Sequence, residues 1–127
     1  MSVPADRRYL ESHEWHQLAG DVVTIGITQH AADELTDITF VQLPKVGSAV
    51  EAGKAFGEIE SVKATAELMS GVSGQVVAVN EGLSDNPGVV NQDPFAGGWM
   101  IKVKVADAAS VQKLLSAEEY EKKSGHQ

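Results

Sequence analysis

The sequence predicts a mainly β protein, a compact barrel or sandwich with short helices at its edges. Short runs in which β-branched or apolar residues alternate with polar ones are typical of strands. Glycines interrupt these runs between positions 47 and 82 at intervals too short for helices. Apolar residues follow helical spacing only in two short stretches. A chain of 127 residues is expected to form one domain, residues 1–127.

The amino-terminal part is predicted to contain a hairpin and a helix. Residues 1–8 are expected to form a loose arm. Strands are predicted over Glu14–Leu18 and Val22–Ile27. Thr28 is a suitable N-cap for a short helix over residues 29–35, whose apolar residues share one face.

The middle of the chain is predicted to be a series of strands. Ile38–Leu43 alternates, which would place Ile38 and Phe40 on the same side of a sheet. The stretch Glu58–Leu68 is predicted to be two strands joined by a turn, with Lys63 near the middle and its amine held away from the body of the protein.

The carboxy-terminal part is predicted to end in helix. Residues 84–98 are rich in Asn, Asp, Pro and Gly and predict a loop. Trp99–Val105 has the clearest strand alternation of the chain. Helical structure is predicted over residues 108–123, with a capping box at Ser116–Glu119, before a loose tail at 124–127.

Charge and composition exclude several functions. Eighteen acidic residues against ten basic ones give a net charge of -8, which argues against nucleic acid and anionic membranes as partners. No apolar run approaches the roughly 20 residues of a membrane span. An acidic surface suits docking on basic patches of other proteins. The chain has no cysteine, so any disulfide chemistry requires a cofactor.

The first residues contain neither a signal-peptide hydrophobic region nor an Arg- and Ser-rich transit segment. We therefore expect a protein of the bacterial cytoplasm, or of the mitochondrial matrix if the sequence is a trimmed mature form.

No self-contained active site or metal centre is predicted. His13 and His16 resemble the zinc-protease motif superficially, but residues three apart on a strand point to opposite faces. His30 is expected to be exposed on its helix, and His126 belongs to the tail. A nucleophile elbow, a GxGxxG motif and a phosphate loop are all absent from the sequence. Lys63 is then either a solvated surface lysine or the attachment point of a mobile cofactor.

Several motifs in a fixed order resemble the glycine cleavage system H-protein family. The sequence around the lysine is Glu60-Ser61-Val62-Lys63-Ala64, and the resemblance spans roughly residues 9–122. The other segments that carry it are Ser12-His13-Glu14-Trp15, Gly26-Ile27-Thr28, Phe40-Val41-Gln42-Leu43-Pro44, Val72-Ser73-Gly74, Val79-Asn80, Asn91-Gln92-Asp93-Pro94 and Gly98-Trp99-Met100-Ile101-Lys102.

The resemblance implies a barrel-sandwich hybrid fold and a carrier that catalyses no step itself. Lipoic acid would be joined by an amide to Lys63. It would accept an aminomethyl group from glycine dehydrogenase (decarboxylating), present it to the aminomethyltransferase, and be reoxidised by dihydrolipoyl dehydrogenase. A lipoate ligase or lipoyltransferase would attach it. The hairpin residues expected to be recognised by these enzymes are Glu60, Ser61, Val62, Ala64 and Glu67.

The resemblance also implies a cleft that shields the loaded arm from water. Ser12 and Glu14 are expected beside this cleft, and Glu14, together with Asp37, is a candidate to attract the cationic amine. Two positions depart from the family pattern: Thr36 replaces a usual glycine, and Gly71 replaces a common proline.

Two other functions remain open at this point. A lipoyl relay, in which the chain donates its lipoyl group to other carriers, would use the same lysine. A protein-docking module without a cofactor would use Lys63 only as a surface charge. A biotin carrier fits less well, because Val62 and Ala64 stand where methionines normally flank its lysine.

Overall fold

Two antiparallel sheets form the body of the protein in a computed structural model that describes residues 3–123. The strands are β1 Arg8–Tyr9, β2 Glu14–Ala19, β3 Val22–Ile27, β4 Ile38–Gln42, β5 Ala49–Val50, β6 Ala55–Ser61, β7 Thr65–Met69, β8 Gly74–Val79 and β9 Ile101–Val105. One sheet has the order β1-β2-β3-β9-β8-β5 and the other the order β4-β6-β7. The mainly β prediction is confirmed, including the β2–β3 and β6–β7 hairpins.

Five short helical segments accompany the sheets within residues 3–123. They are α1 Gln29–Leu35, α2 Gly82–Asp85, α3 Val89–Gln92, a 3₁₀ helix Ala108–Lys113 and α4 Ala117–Lys123. Helix α1 has the predicted bounds, and the Thr28 side chain accepts from the backbone N–H of Ala31 at its start. The predicted loop at 84–98 contains α3 and the end of α2. None of these helices is long and apolar enough to cross a membrane.

The core lies between the two sheets. Ile25, Ile101 and Val103 of the six-stranded sheet and Ile59 and Leu68 of the three-stranded sheet are at most 1% exposed. Burial of each such side chain stabilises the fold by about 1.5–3 kcal/mol relative to its exposed state. The alternation that predicted β6, β7 and β9 therefore corresponds to a buried and an exposed face.

A bulge in β4 changes the faces of its side chains. The register of β4 against β6 shifts between Ile38 and Phe40. Ile38 and Val41 are both buried, whereas Phe40 is 48% exposed. The prediction that Ile38 and Phe40 share a face is wrong, because an extra residue at a bulge reverses the alternation that follows it.

Residues 3–8, the described part of the loose arm expected at 1–8, contact the body of the protein. The backbone N–H of Val3 donates to the Glu121 carboxylate at 2.9 Å. The Arg7 guanidinium lies 4.5 Å from the centre of the Trp15 ring and donates to the carbonyl of Phe95 at 2.6 Å. A cation over an indole ring and a charged hydrogen bond fix the segment in place.

The carboxy-terminal helical region consists of two helices, as a capping box within the predicted region indicates. Between them, Leu115 exchanges backbone hydrogen bonds of 2.8 and 2.9 Å with Tyr9. The predicted capping box is confirmed, since the Ser116 hydroxyl accepts from Glu119 N–H at 3.2 Å and the Glu119 carboxylate accepts from Ser116 N–H at 2.9 Å. The predicted tail at 124–127 lies outside the described residues.

Thr36 has a left-handed backbone. Its φ is 63° and its ψ is -146°, at the residue that ends α1. This region is open to glycine and costs other residues about 1–3 kcal/mol, most of all a β-branched residue such as threonine. The chain therefore has local strain between α1 and β4.

We expect Thr36→Gly to raise the free energy of unfolding by about 1 kcal/mol. The relief of strain exceeds the roughly 0.5–1 kcal/mol of extra backbone entropy that glycine loses on folding. Urea denaturation measures the change. Thr65→Gly, at an exposed and regularly paired threonine in β7, is the control and should lower stability, because glycine weakens a strand. A Thr36→Gly variant that unfolds at a lower urea concentration than the wild type would contradict the inference that the Thr36 backbone is strained.

Candidate functional site

The turn between β6 and β7 presents Lys63 and is shaped by Ser61. The Ser61 hydroxyl accepts from the backbone N–H groups of Lys63 at 3.1 Å and Ala64 at 3.0 Å. The backbone N–H of Ser61 donates to the carbonyl of Ala64 at 2.8 Å. A serine side chain that accepts from N–H groups two and three residues ahead fixes a tight turn. The backbone of Lys63 is thereby held at the tip.

The tip rests against the end of α1. The Lys63 amine donates to the carbonyl of Glu34 at 3.0 Å, and the Val62 N–H donates to the carbonyl of Asp37 at 3.0 Å. The carbonyls of the last helical turn carry partial negative charge and attract a cation. The prediction that the amine stands away from the body is therefore wrong for the unmodified lysine, although its side chain remains exposed.

A cleft of about 380 Å³ opens beside the amine. This volume lies within the range of small-ligand sites, roughly 300–1,000 Å³. More of its wall is apolar than polar, since alanine and leucine side chains of α1 face alanines of the hairpin. The lining residues are Ser12, His13, Ala31, Glu34, Leu35, Lys63, Ala64 and Ala66. An arm attached to Lys63 could fold into this space.

Of the three residues predicted for the cleft, the structure brings only Ser12 into its lining. Glu14 is 2% exposed and lies behind Ser12, whose hydroxyl donates to the Glu14 carboxylate at 2.5 Å. Asp37 is exposed and contributes its backbone carbonyl to the hairpin tip rather than its side chain to the lining.

Glu14 links the two sheets. Its second carboxylate oxygen accepts from the backbone N–H of Met69, at the end of β7, at 2.8 Å. Burial raises the pKa of Glu14 to about 7, although the hydrogen bonds from Ser12 and Met69 act in the opposite direction. The loss of hydration on burial thus raises the pKa of Glu14 more than the two hydrogen bonds lower it. The carboxyl group is partly protonated near neutral pH.

His16, two residues further along β2, makes a similar contact. Its Nε2 accepts from the backbone N–H of Gly71 at 3.0 Å, and burial lowers the pKa of His16 to about 4. Residues two apart in a strand share a face, so Glu14 and His16 together hold the end of β7 and the turn that follows it. This imidazole is a neutral structural group at physiological pH.

The predicted recognition residues lie on the exposed side of the hairpin. Glu60 and Glu67 are exposed, and Glu67 is paired directly opposite Glu58. Like charges opposite each other destabilise a sheet by roughly 0.2–1 kcal/mol. Val62 is 70% exposed at the tip, beside Ala64, which is also exposed. The surface is acidic with an apolar end.

Comparison with known proteins gives the family. The sequence profile described as glycine cleavage H-protein matches residues 7–127. The chain belongs to this family.

Relatives and a solved structure agree with this assignment. The chain is 55% identical over 120 residues to the glycine cleavage system H proteins of Bacillus cereus (strain AH820) and Bacillus anthracis (strain A0248), covering 94% of each chain. The crystal structure of a glycine cleavage system H protein from Mycobacterium marinum superimposes with a TM-score of 0.89 at 40% identity, covering 97% of this chain and 99% of that one. The barrel-sandwich hybrid fold of the family is confirmed.

The sequence did not predict that helix α1 forms one wall of the cleft. This wall consists of Ala31, Glu34 and Leu35, and His13 lines the cleft as well. Spacing indicated that Ala31 and Leu35 share a helix face, but nothing local shows that this face meets the hairpin. Asn91 fixes the placement, because its side chain accepts from the N–H of Ile38 at 3.0 Å and donates to the carbonyl of Thr36 at 2.7 Å.

Glu14→Gln should become more stable than the wild type as the pH rises. Folding favours the protonated carboxyl, so the wild type loses stability as pH rises from 4.5 through about 7. Glutamine remains neutral and can still accept from Met69 N–H. We expect the stability difference to grow by up to about 3 kcal/mol between pH 5 and 8.

Urea unfolding of both proteins across this range measures the difference. His16 lowers the stability of both proteins equally as the pH falls from 6.5 towards 4, so its effect cancels in the stability difference. Glu81→Gln, at an exposed carboxylate, should follow the wild type throughout. If the free energy of unfolding changed with pH in the same way for Glu14→Gln and the wild type, that result would contradict a buried carboxyl with a raised pKa.

Proposed function

We propose that this chain is the lipoyl-carrying protein of a glycine cleavage system, with lipoic acid joined by an amide bond to the Nζ of Lys63. The observation that carries this proposal is the position of that amine, at the tip of an exposed hairpin and at the mouth of a cleft large enough for a small ligand. Membership of the H-protein family supports it.

The residues around Lys63 fit such a group. Acylation neutralises the ammonium and ends its attraction to the helix carbonyls, which releases the side chain from the carbonyl of Glu34. Ser61 keeps the turn closed whether or not the amine is modified, because it uses backbone groups only. When bound, lipoic acid supplies the disulfide that accepts an aminomethyl unit and two electrons, chemistry that a chain without cysteine lacks.

The cleft shields whatever the arm carries. Its largely apolar wall limits the access of water. The Ser12 hydroxyl is oriented by its hydrogen bond to Glu14, so Glu14 acts on the cleft through Ser12. Asp37 holds the hairpin tip through its backbone carbonyl. The chain itself positions the lipoyl arm and shields it from water, and its partner enzymes catalyse the reactions.

The partners in this proposal are the enzymes of the pathway. Glycine dehydrogenase (decarboxylating) loads the carrier, the aminomethyltransferase unloads it, and dihydrolipoyl dehydrogenase reoxidises it. A lipoate ligase or lipoyltransferase modifies Lys63. The relatives from Bacillus species support a bacterial protein, and we place its action in the cytoplasm.

The acidic face of the hairpin is the docking surface for these enzymes. Glu58 and Glu67 oppose each other across the strands at a cost in stability, while Glu60 extends the same exposed face. Complementary charge raises association rates and is weakened by salt. Val62, exposed beside the lysine, adds an apolar contact at the tip.

Lys63→Arg should abolish lipoylation. Co-expression with lipoate ligase is expected to add one lipoyl group to the wild-type chain, as measured by intact mass. Lys54→Arg, a second exposed lysine of the same strand region, should still gain the group. A wild-type chain that stays unmodified under these conditions would favour a docking module without a cofactor.

Glu67→Gln should slow lipoylation at low salt by about two- to tenfold, because part of the attraction to the modifying enzyme is removed. The effect should shrink as ionic strength rises. Initial rates at two salt concentrations measure it. Glu118→Gln, which removes the same charge from the distant helix α4, is the control. Equal rates for both variants at low salt would exclude electrostatic recognition of the hairpin.

A further inference from the structure

Three potential metal ligands converge at the rim of the cleft. Within the described residues, ligand atoms of His13, His30 and Glu34 all lie within 4.8 Å of one another. The imidazole centroids of His13 and His30 are 4.6 Å apart. His30 and Glu34 are four residues apart on α1, and their Nε2 and Oε2 atoms are 3.6 Å apart. This spacing places both side chains on one face of the helix.

We propose that these residues bind a divalent transition-metal cation, with Zn²⁺ as the best match. Two imidazoles and one carboxylate are a ligand set typical of zinc sites that keep a coordination position open. Zinc–nitrogen and zinc–oxygen bonds of 2.0–2.2 Å place tetrahedral ligands roughly 3.4 Å apart. The His30–Glu34 distance is already close to this value. The 66% exposed side chain of Glu34 can turn to close the remaining gap.

His13 is oriented as a metal ligand would be. Its Nδ1 lies 2.6 Å from the hydroxyl of Tyr120, which is also 2.9 Å from the hydroxyl of Thr28. Tyr120 is fully buried, so this contact is rigid. A hydrogen bond at one ring nitrogen fixes the orientation of the ring, as is usual for ligating histidines. Tyr120 is thus a positioning residue for this site.

The site is partly open to solvent. His13 and His30 are half-buried and Glu34 is exposed, so three protein ligands leave a further position for water. His13 and Glu34 also belong to the lining of the cleft beside Lys63. The cation would therefore occupy the cleft rim without requiring any modification of the lysine.

Calorimetric titration of Zn²⁺ into the untagged, unlipoylated chain tests the site. We expect one ion per chain and at least a tenfold weaker affinity in His30→Gln and in Glu34→Gln. His13→Gln should behave alike, and Tyr120→Phe should weaken binding about tenfold through loss of orientation. Far-UV circular dichroism checks that each variant folds. Since no lipoyl group is involved, failure of this test leaves the proposed carrier function untouched.

Two controls separate the site from general surface charge. Glu118→Gln, which removes an exposed carboxylate that also has a partner four residues away, should bind Zn²⁺ like the wild type. Mg²⁺, which prefers oxygen ligands, should not compete. The proposal is overturned if the folded His30→Gln and Glu34→Gln variants retain wild-type affinity, or if the wild type binds no Zn²⁺.

Discussion

The buried carboxyl of Glu14 is the constraint on which the cleft depends. It accepts hydrogen bonds from the Ser12 hydroxyl and from the backbone N–H of Met69, and so joins the start of β2 in one sheet to the end of β7 in the other. Two residues along, His16 holds Gly71 from the same face of β2. The desolvation of both groups is unfavourable, yet the hydrogen bonds place the hairpin relative to the amino-terminal loop. A cleft between these two parts needs such a connection.

Local patterns were sufficient for most of the fold. Alternation identified β6, β7 and β9, because their side chains are buried on one face only. The β-branched and apolar composition of residues 22–27 identified β3. Capping chemistry located α1 and α4. The misplacements have long-range causes. A bulge against β6 exposes Phe40, and contact with Trp15 orders the segment that contains Arg7.

The site was predictable at its centre and not at its walls. Lys63 was identified as a candidate attachment point because it lies in a predicted turn between two strands and the sequence has no cysteine that could supply disulfide chemistry. The ordered motifs then indicated the family. The α1 wall depends on Asn91, which lies more than 50 residues from the helix end that it binds. His13 and His30 are likewise brought together only by the tertiary fold. Spacing along the sequence carries no information on such contacts.

Gly71 illustrates how one hydrogen bond restricts the routes open to sequence change. Proline at this position would have no N–H to donate to His16. A Cβ at this position would also lie 2.9 Å from the Leu114 side chain. Replacement by proline would therefore leave the buried Nε2 of His16 without this donor and would require the Leu114 side chain to move. A substitution at position 71 is thus coupled to the residues at positions 16 and 114.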